Sequence, residues 1–226
     1  MRHMVKKLDI EENQKKAESY YDKFSLVYDL LSPKKYYHNA RKTAVKELHL
    51  VEGQTILNVP FGTGQNLEYF QKYLKNTGLI IGIDLSDGML SKAQKKIKKN
   101  KWSNVTLLKK DALSINKQLI TPILKSNNKQ KVDAILVDLG LSGFSNWKKC
   151  IDSYLDLLNP RGIIVIMDWY IEKSTIQGAI VKWIGKGEVN RPIYQYLESR
   201  VNNFKVDASF NRGGVFVASG EKNKKA

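Results

Sequence analysis

At 226 residues and 42% hydrophobic content, the chain is long enough to bury one substantial core and short for two, so one domain with an N-terminal attachment is expected. The net charge of +16 is carried almost wholly by lysine, the arginines being Arg2, Arg41, Arg161, Arg191, Arg200 and Arg212, which disfavours a bidentate phosphate reader and makes nucleic acid a poor partner. A lone Cys150 excludes an internal disulfide framework, His3, His38 and His49 lack partners at metal-ligand spacing, and no apolar run is long enough to span a bilayer, so a cytoplasmic protein without a metal is expected.

The opening Met1-Arg2-His3 reads as a cloning scar ahead of a native Met4 and is set aside. Residues 1–50 form the expected N-terminal extension, and 51–226 the main domain. The extension is helical in pattern and aromatic, with Tyr20, Tyr21, Phe24, Tyr28, Tyr36 and Tyr37, which suits either packing onto the domain or a lid that excludes water from a site. From Thr55 the chain alternates β-rich and helical segments, which predicts an α/β domain built on a mostly parallel sheet. Strands are expected at 55–59, 79–85, 104–110, 132–139 and 162–169, with helices between them; Ser86 is placed to cap the helix that carries Met89, Leu90, Ala93 and Ile97 on one face. The runs 204–210 and 215–219, joined by Asn211-Arg212-Gly213-Gly214, predict a terminal hairpin that places one antiparallel strand next to an edge.

Ligands of an open parallel sheet bind beyond the carboxyl ends of its strands. Four such ends carry polar or flexible residues: Asn58 with the loop Pro60-Phe61-Gly62-Thr63-Gly64, then Asp84, Asp111 and Asp138. Asp84 follows Gly64 at the spacing at which a carboxylate accepts ribose hydroxyls, so the row predicts an adenosine-containing cofactor. Leu67 stands where a dinucleotide loop wants a third small residue, no cation lies in the loop, and the phosphate-loop pattern is absent. A pyrophosphate ligand is therefore disfavoured.

The stretches ILNVPFGTGQNLEYF, IIGIDLSDGMLSKAQKK, NVTLLKKDAL and LLNPRGIIVIMDW resemble the successive motifs of class I S-adenosylmethionine-dependent methyltransferases, and the terminal hairpin fits that fold's reversed seventh strand. YYDKFSLVYDLLSP and GGVFVASGE look most like phospholipid N-methyltransferases and ubiquinone/menaquinone-type enzymes. The resemblance implies a Rossmann-like seven-stranded sheet with helices on both faces and an N-terminal helical lid. It implies S-adenosyl-L-methionine as cofactor, with S-adenosyl-L-homocysteine as product. The loop residues Asn58, Pro60, Gly62, Thr63, Gly64 and Asn66 would follow the methionine part, Asp84 the ribose, Leu85 and Met89 the adenine faces, and Asp111 and Ala112 the adenine edge. Asp138 and Leu139 would floor the site near the methyl group, Tyr21 and Tyr28 would close over it, and Asp138, Tyr28 and Tyr21 are the catalytic candidates.

Three positions depart from the family pattern: Asn58 where Asp is usual, Pro60-Phe61 where small residues are usual, and Arg161 where the family has the first glycine of Pro-Gly-Gly. Methyl transfer from a sulfonium needs positioning and exclusion of water more than a catalytic triad, and none is visible. The resemblance points to a small-molecule or lipid acceptor, first an amine headgroup such as phosphatidylethanolamine, with peripheral contact at an anionic membrane through Lys92, Lys95, Lys96, Lys98 and Lys99. A quinone-type C- or O-methyltransferase, transfer of another sulfonium group, an RNA-binding methyltransferase and a non-catalytic binding module are the alternatives.

Overall fold

A computed structural model of the protein describes residues 35–171 and 188–223. The expected lid residues Tyr21 and Tyr28 lie outside them. In chain order the elements are α1 (His38–Glu47), β1 (Thr55–Val59), α2 (Leu67–Leu74), β2 (Leu79–Asp84), α3 (Asp87–Asn100), β3 (Val105–Lys109), α4 (Lys117–Ser126), β4 (Val132–Asp138), α5 (Trp147–Leu157), β5 (Leu158–Trp169), α6 (Ile193–Glu198), β6 (Val201–Ser209) and β7 (Val215–Lys222). The strands form one seven-stranded sheet in the order β3-β2-β1-β4-β5-β7-β6. The β1–β5 pairings are parallel, and β7 runs antiparallel to both β5 and β6. This is the expected topology, with the reversed strand one place in from an edge.

Strands β1 and β2 are buried along their whole length, because helices cover both faces. Leu57, Ile81, Ile135 and Ile166 face a core shared with α4, α5 and α6; Ile56, Ile80, Leu136 and Val165 face a second core shared with α1, α2 and α3. Of the extension expected at residues 1–50, the described part contributes Tyr37, Ala40, Ala44, Val45, Leu48 and Leu50 to this second core. Ser86 caps α3 as predicted, its hydroxyl accepting the Met89 N–H at 3.1 Å.

Two strand starts differ from the sequence pattern. Strand β5 begins at Leu158, which pairs with Val132, and its register then shifts before Ile163 meets Ala134. Inside that irregularity Arg161 takes a left-handed φ of 66°, a conformation that favours glycine, in the place where the resembled family carries one. Strand β6 begins at Val201, and its register shifts between Asn202 and Lys205 around Asn203, at a φ of 51°. A β-branched run does not announce either bulge.

Phe61 resolves one of the sequence departures. Its side chain turns inward and lies on Gly82 of β2: a Cβ added to Gly82 would come within 2.5 Å of the ring. The Phe61 N–H also donates to the Ile83 carbonyl at 2.8 Å, so the loop after β1 is fastened to the neighbouring strand by both backbone and ring. Bulk at Phe61 is thus accommodated by an absent side chain across the strand pair. Gly82→Ala is expected to destabilise by about 1–3 kcal/mol through overpacking, and Phe61→Ala by about 3–5 kcal/mol through cavity formation. In urea unfolding the double variant should lose clearly less than the sum, because each change relieves the other.

Candidate active site

The carboxyl ends of β1, β2, β3 and β4 converge on one cavity of about 420 Å³. At the end of β2, Asp84 is buried and accepts the Gly62 N–H through Oδ2 at 2.7 Å and the Ser86 N–H through Oδ1 at 3.0 Å. One carboxylate therefore ties the glycine loop to the start of α3. Gly62 has a φ of 56° and nothing within 4 Å of where a Cβ would stand, so its backbone is open to the cavity. Gly64, at a φ of 72°, packs inward, where a Cβ would meet Leu67 at 2.8 Å. After β3, Asp111 accepts the Leu113 N–H at 2.9 Å and caps the short turn Ala112–Ser114, while the buried Tyr154 hydroxyl donates to the Ala112 carbonyl at 3.1 Å.

Ten of the residues assigned to the cofactor from the sequence line this cavity: Pro60, Gly62, Thr63, Asp84, Leu85, Met89, Asp111, Ala112, Asp138 and Leu139. Asn58, Gly64 and Asn66 stand behind its wall. Arg41, Gln65, Lys110, Leu113, Phe144 and Ser145 also line it and carried no assigned role in the sequence. Arg41 had a readable signal, an arginine in a lysine-rich chain placed among the apolar positions Ala40, Ala44 and Val45 of α1. Phe144 and Ser145 had none. His38 lies in a separate cleft with Lys35, Glu68, Tyr69 and Lys72, its Nδ1 2.8 Å from the Tyr69 hydroxyl.

The electrostatic centre is Asp138. Its Oδ2 accepts from Asn66 Nδ2 at 2.7 Å and faces Arg41 Nε at 3.3 Å, with both charged side chains withdrawn from solvent. Arg41 also donates through Nη1 to Gln65 Oε1, binding α1 to the glycine loop. Asp138 Oδ1 is buried and has no hydrogen-bond partner among the described residues.

Asn58 is tied into the same network. Its Nδ2 donates to the Leu136 carbonyl at 3.2 Å, and its Oδ1 accepts from the Asn66 amide that also serves Asp138. An aspartate here would lose the donor to Leu136 and place a second carboxylate on the group that holds the first. Asn58→Asp is therefore expected to lower stability at neutral pH by roughly 2–3 kcal/mol, measured by chemical denaturation, and the loss should shrink in Asn58→Asp/Asp138→Asn.

Asp168, on β5, stands behind this row. It is fully buried, accepting the Ser142 N–H at 3.0 Å and the Trp169 N–H at 2.7 Å. Burial raises its pKa to about 6; those hydrogen bonds oppose the rise, and the neighbouring Asp138 charge adds to it. Burial likewise pushes the Cys150 thiol up to about 11, which leaves it protonated and unreactive at neutral pH. Because the folded Asp168 holds its proton more tightly than an unfolded carboxyl of about 4, its stabilising contribution is complete below about pH 4 and is lost as pH rises through about 6. The stability difference between wild type and Asp168→Asn should accordingly fall across that window in denaturation curves taken at stepped pH, and level off above it.

A glycine loop after β1, carboxylates after β2, β3 and β4 around one cavity, and a reversed strand beside the sheet edge define the class I S-adenosylmethionine-dependent methyltransferase fold. Comparison with known proteins agrees: the methyltransferase-domain family matches residues 50–197, and the chain belongs to it. It is similar to the ubiquinone/menaquinone biosynthesis C-methyltransferase UbiE of Blochmanniella pennsylvanica, 29% identical over 118 residues that make up 52% of this chain and 42% of that protein. The chain thus spans less than half the length of that relative. It is also similar to a probable cobalt-precorrin-6B C(15)-methyltransferase (decarboxylating) of Saccharolobus solfataricus, 26% identical over 184 residues, 80% of this chain and 85% of that one. Among solved structures, Haemonchus contortus phosphoethanolamine N-methyltransferase 2 in complex with S-adenosyl-L-methionine superposes with a TM-score of 0.67 at 12% identity, covering 90% of this chain and 57% of that one, a likeness of fold.

Proposed function

We propose that the protein transfers the methyl group of S-adenosylmethionine to a small-molecule or lipid-borne acceptor, with an amine headgroup as the first reading. The observation that carries this is the buried Asp138 carboxylate at the cavity floor, with one oxygen held and the other without a partner among the described residues. It stands in the row that Asp84 and Asp111 continue. When bound, S-adenosylmethionine supplies a methyl group on a sulfonium leaving group, ready for in-line displacement.

The chain's own residues then bind and orient. Gly62 offers open backbone, and Asp84, anchored by two N–H groups, presents its carboxylate where hydroxyls of a ribose would donate. Leu85, Met89, Leu113 and Phe144 supply apolar walls for an adenine, and Asp111 a polar edge. Asp138 Oδ1 would accept an N–H from an amine and orient it near the centre of reaction; Arg41, tied to Asp138 and Gln65, holds that carboxylate in place. Exposed Lys95, Lys98 and Lys99 on α3 support approach to an anionic surface. A quinol acceptor is the second reading, favoured by the name of the relative UbiE.

Calorimetry with S-adenosylhomocysteine is expected to show binding that Asp84→Asn weakens by about tenfold or more, through loss of charge-assisted hydrogen bonds. Radiolabelled S-adenosylmethionine offered with ethanolamine lipids or quinols, in vesicles with and without anionic lipid, should place the label in the amine, more so with anionic lipid. Label in the quinol would transfer the assignment to the second reading, and a wild type that binds no S-adenosylhomocysteine would sink both.

A further inference from the structure

The wall of the cavity between β4 and α5 is built from residues 139–145, and Leu139, Gly140, Gly143, Phe144 and Ser145 all face the cavity. This loop is under backbone strain. Leu139 sits at a left-handed φ of 55°, which a branched side chain resists, so its surroundings must over-determine it. Part of that hold comes from β5 and from the loop itself: Leu139 N–H donates to Met167 O at 2.7 Å, and Gly143 N–H to Gly140 O at 2.9 Å.

The rest comes from the segment that leads into α6. Arg191 Nη1 donates to the Leu141 carbonyl at 2.9 Å and to the Phe144 carbonyl, so one guanidinium edge spans the loop's turn from both sides. Its Nε donates to Glu188 Oε2 at 3.1 Å, and the Glu188 N–H donates to the Ser142 carbonyl at 2.8 Å. On the opposite side the Ser142 N–H is taken by Asp168. The Arg191 side chain is largely buried although its partner Glu188 is exposed, as expected of a strut and not of a surface ion pair. The loop is in turn interlocked with the glycine loop: a Cβ on Gly140 would lie 2.4 Å from Pro60 Cδ and 2.9 Å from the Phe144 ring. A shift of 139–145 would therefore be felt at Pro60, next to Gly62.

We propose that Arg191 is a positioning residue for the cofactor cavity: it touches no ligand, and it sets affinity by holding loop 139–145 in the strained shape that completes the wall. The proposal rests on the assignment of this cavity to S-adenosylmethionine. Its physical basis is preorganisation, since a loop ordered before binding does not lose that freedom when the ligand arrives. Arginine is required in particular. A planar fork can reach two carbonyls and a carboxylate at once, whereas a lysine ammonium serves one direction at a time.

The test is calorimetric titration of S-adenosylhomocysteine into wild type, Arg191→Gln and Arg191→Lys, with amide hydrogen exchange on the free proteins. Arg191→Gln is expected to raise Kd about tenfold, with Arg191→Lys in between, while exchange quickens at residues 140–145 and stays slow in β1, β4 and β5. Should Arg191→Gln lose its native circular dichroism, the milder Arg191→Lys carries the comparison, and a several-fold rise in Kd is the supporting result. Faster loop exchange with an unchanged Kd would overturn the proposal, since it would make Arg191 a structural prop alone. A wild type that binds no S-adenosylhomocysteine would instead overturn the cofactor assignment, and this proposal with it.

Discussion

A carboxylate withdrawn from water at the end of a central strand needs counter-charge and donors at fixed places, and Asp138 imposes that demand on everything around it. Arg41 answers it from α1, which draws the residues just ahead of β1 onto the sheet. Asn66 answers it from the end of the glycine loop, and because the same amide serves Asn58, the side chain at the end of β1 is held to a neutral one. The departure of Asn58 from the family pattern is thus a local consequence of how this chain disposes of charge. One strand further on, Asp168 is kept from sharing the burden by its own burial and by two backbone donors.

The cavity is supported both by its own lining and from behind it. Asp84 shapes the glycine loop while facing the cavity, Tyr154 steadies Ala112 from within the core they share, and Phe61 anchors the loop by filling the space above Gly82. Arg191 does the same for the β4–α5 wall. Each contact joins a loop to a rigid element, so the geometry of the site is inherited from the sheet.

Much of this was legible in the sequence, for reasons that lie in the strands. Buried parallel strands are short apolar runs that end where the chain leaves the sheet, and the polar residues at those ends name the ligand edge; Asp84, Asp111 and Asp138 were found that way and line one cavity. The start of β5 was missed because Leu158 pairs ahead of a bulge, and a positive φ at Arg161 leaves no pattern in a residue that is not glycine. The partners of Arg41 and Arg191 are not legible because they are distant in the chain, even where the apolar setting of Arg41 marks it as buried: Asp138 is 97 residues from Arg41, and Leu141 is 50 from Arg191. Such pairings have no period. The Phe61 and Gly82 pair was invisible for the same reason, since an unusual bulky residue is explained only by what is absent across from it.

The reversed strand gives the fold a temporal dimension. β7 is made after β6 and lies between β5 and β6, so β6, though earlier in the chain, has no sheet to join until β7 is in place. Five strands can be assembled in the order in which they leave the ribosome, but the sheet widens beyond them only by admitting β7 and β6 together. Phe216 and Ala218 of β7 belong to one core, and Val215 and Val217 to the other. Until that final pair docks, both layers of the molecule remain open along the same flank.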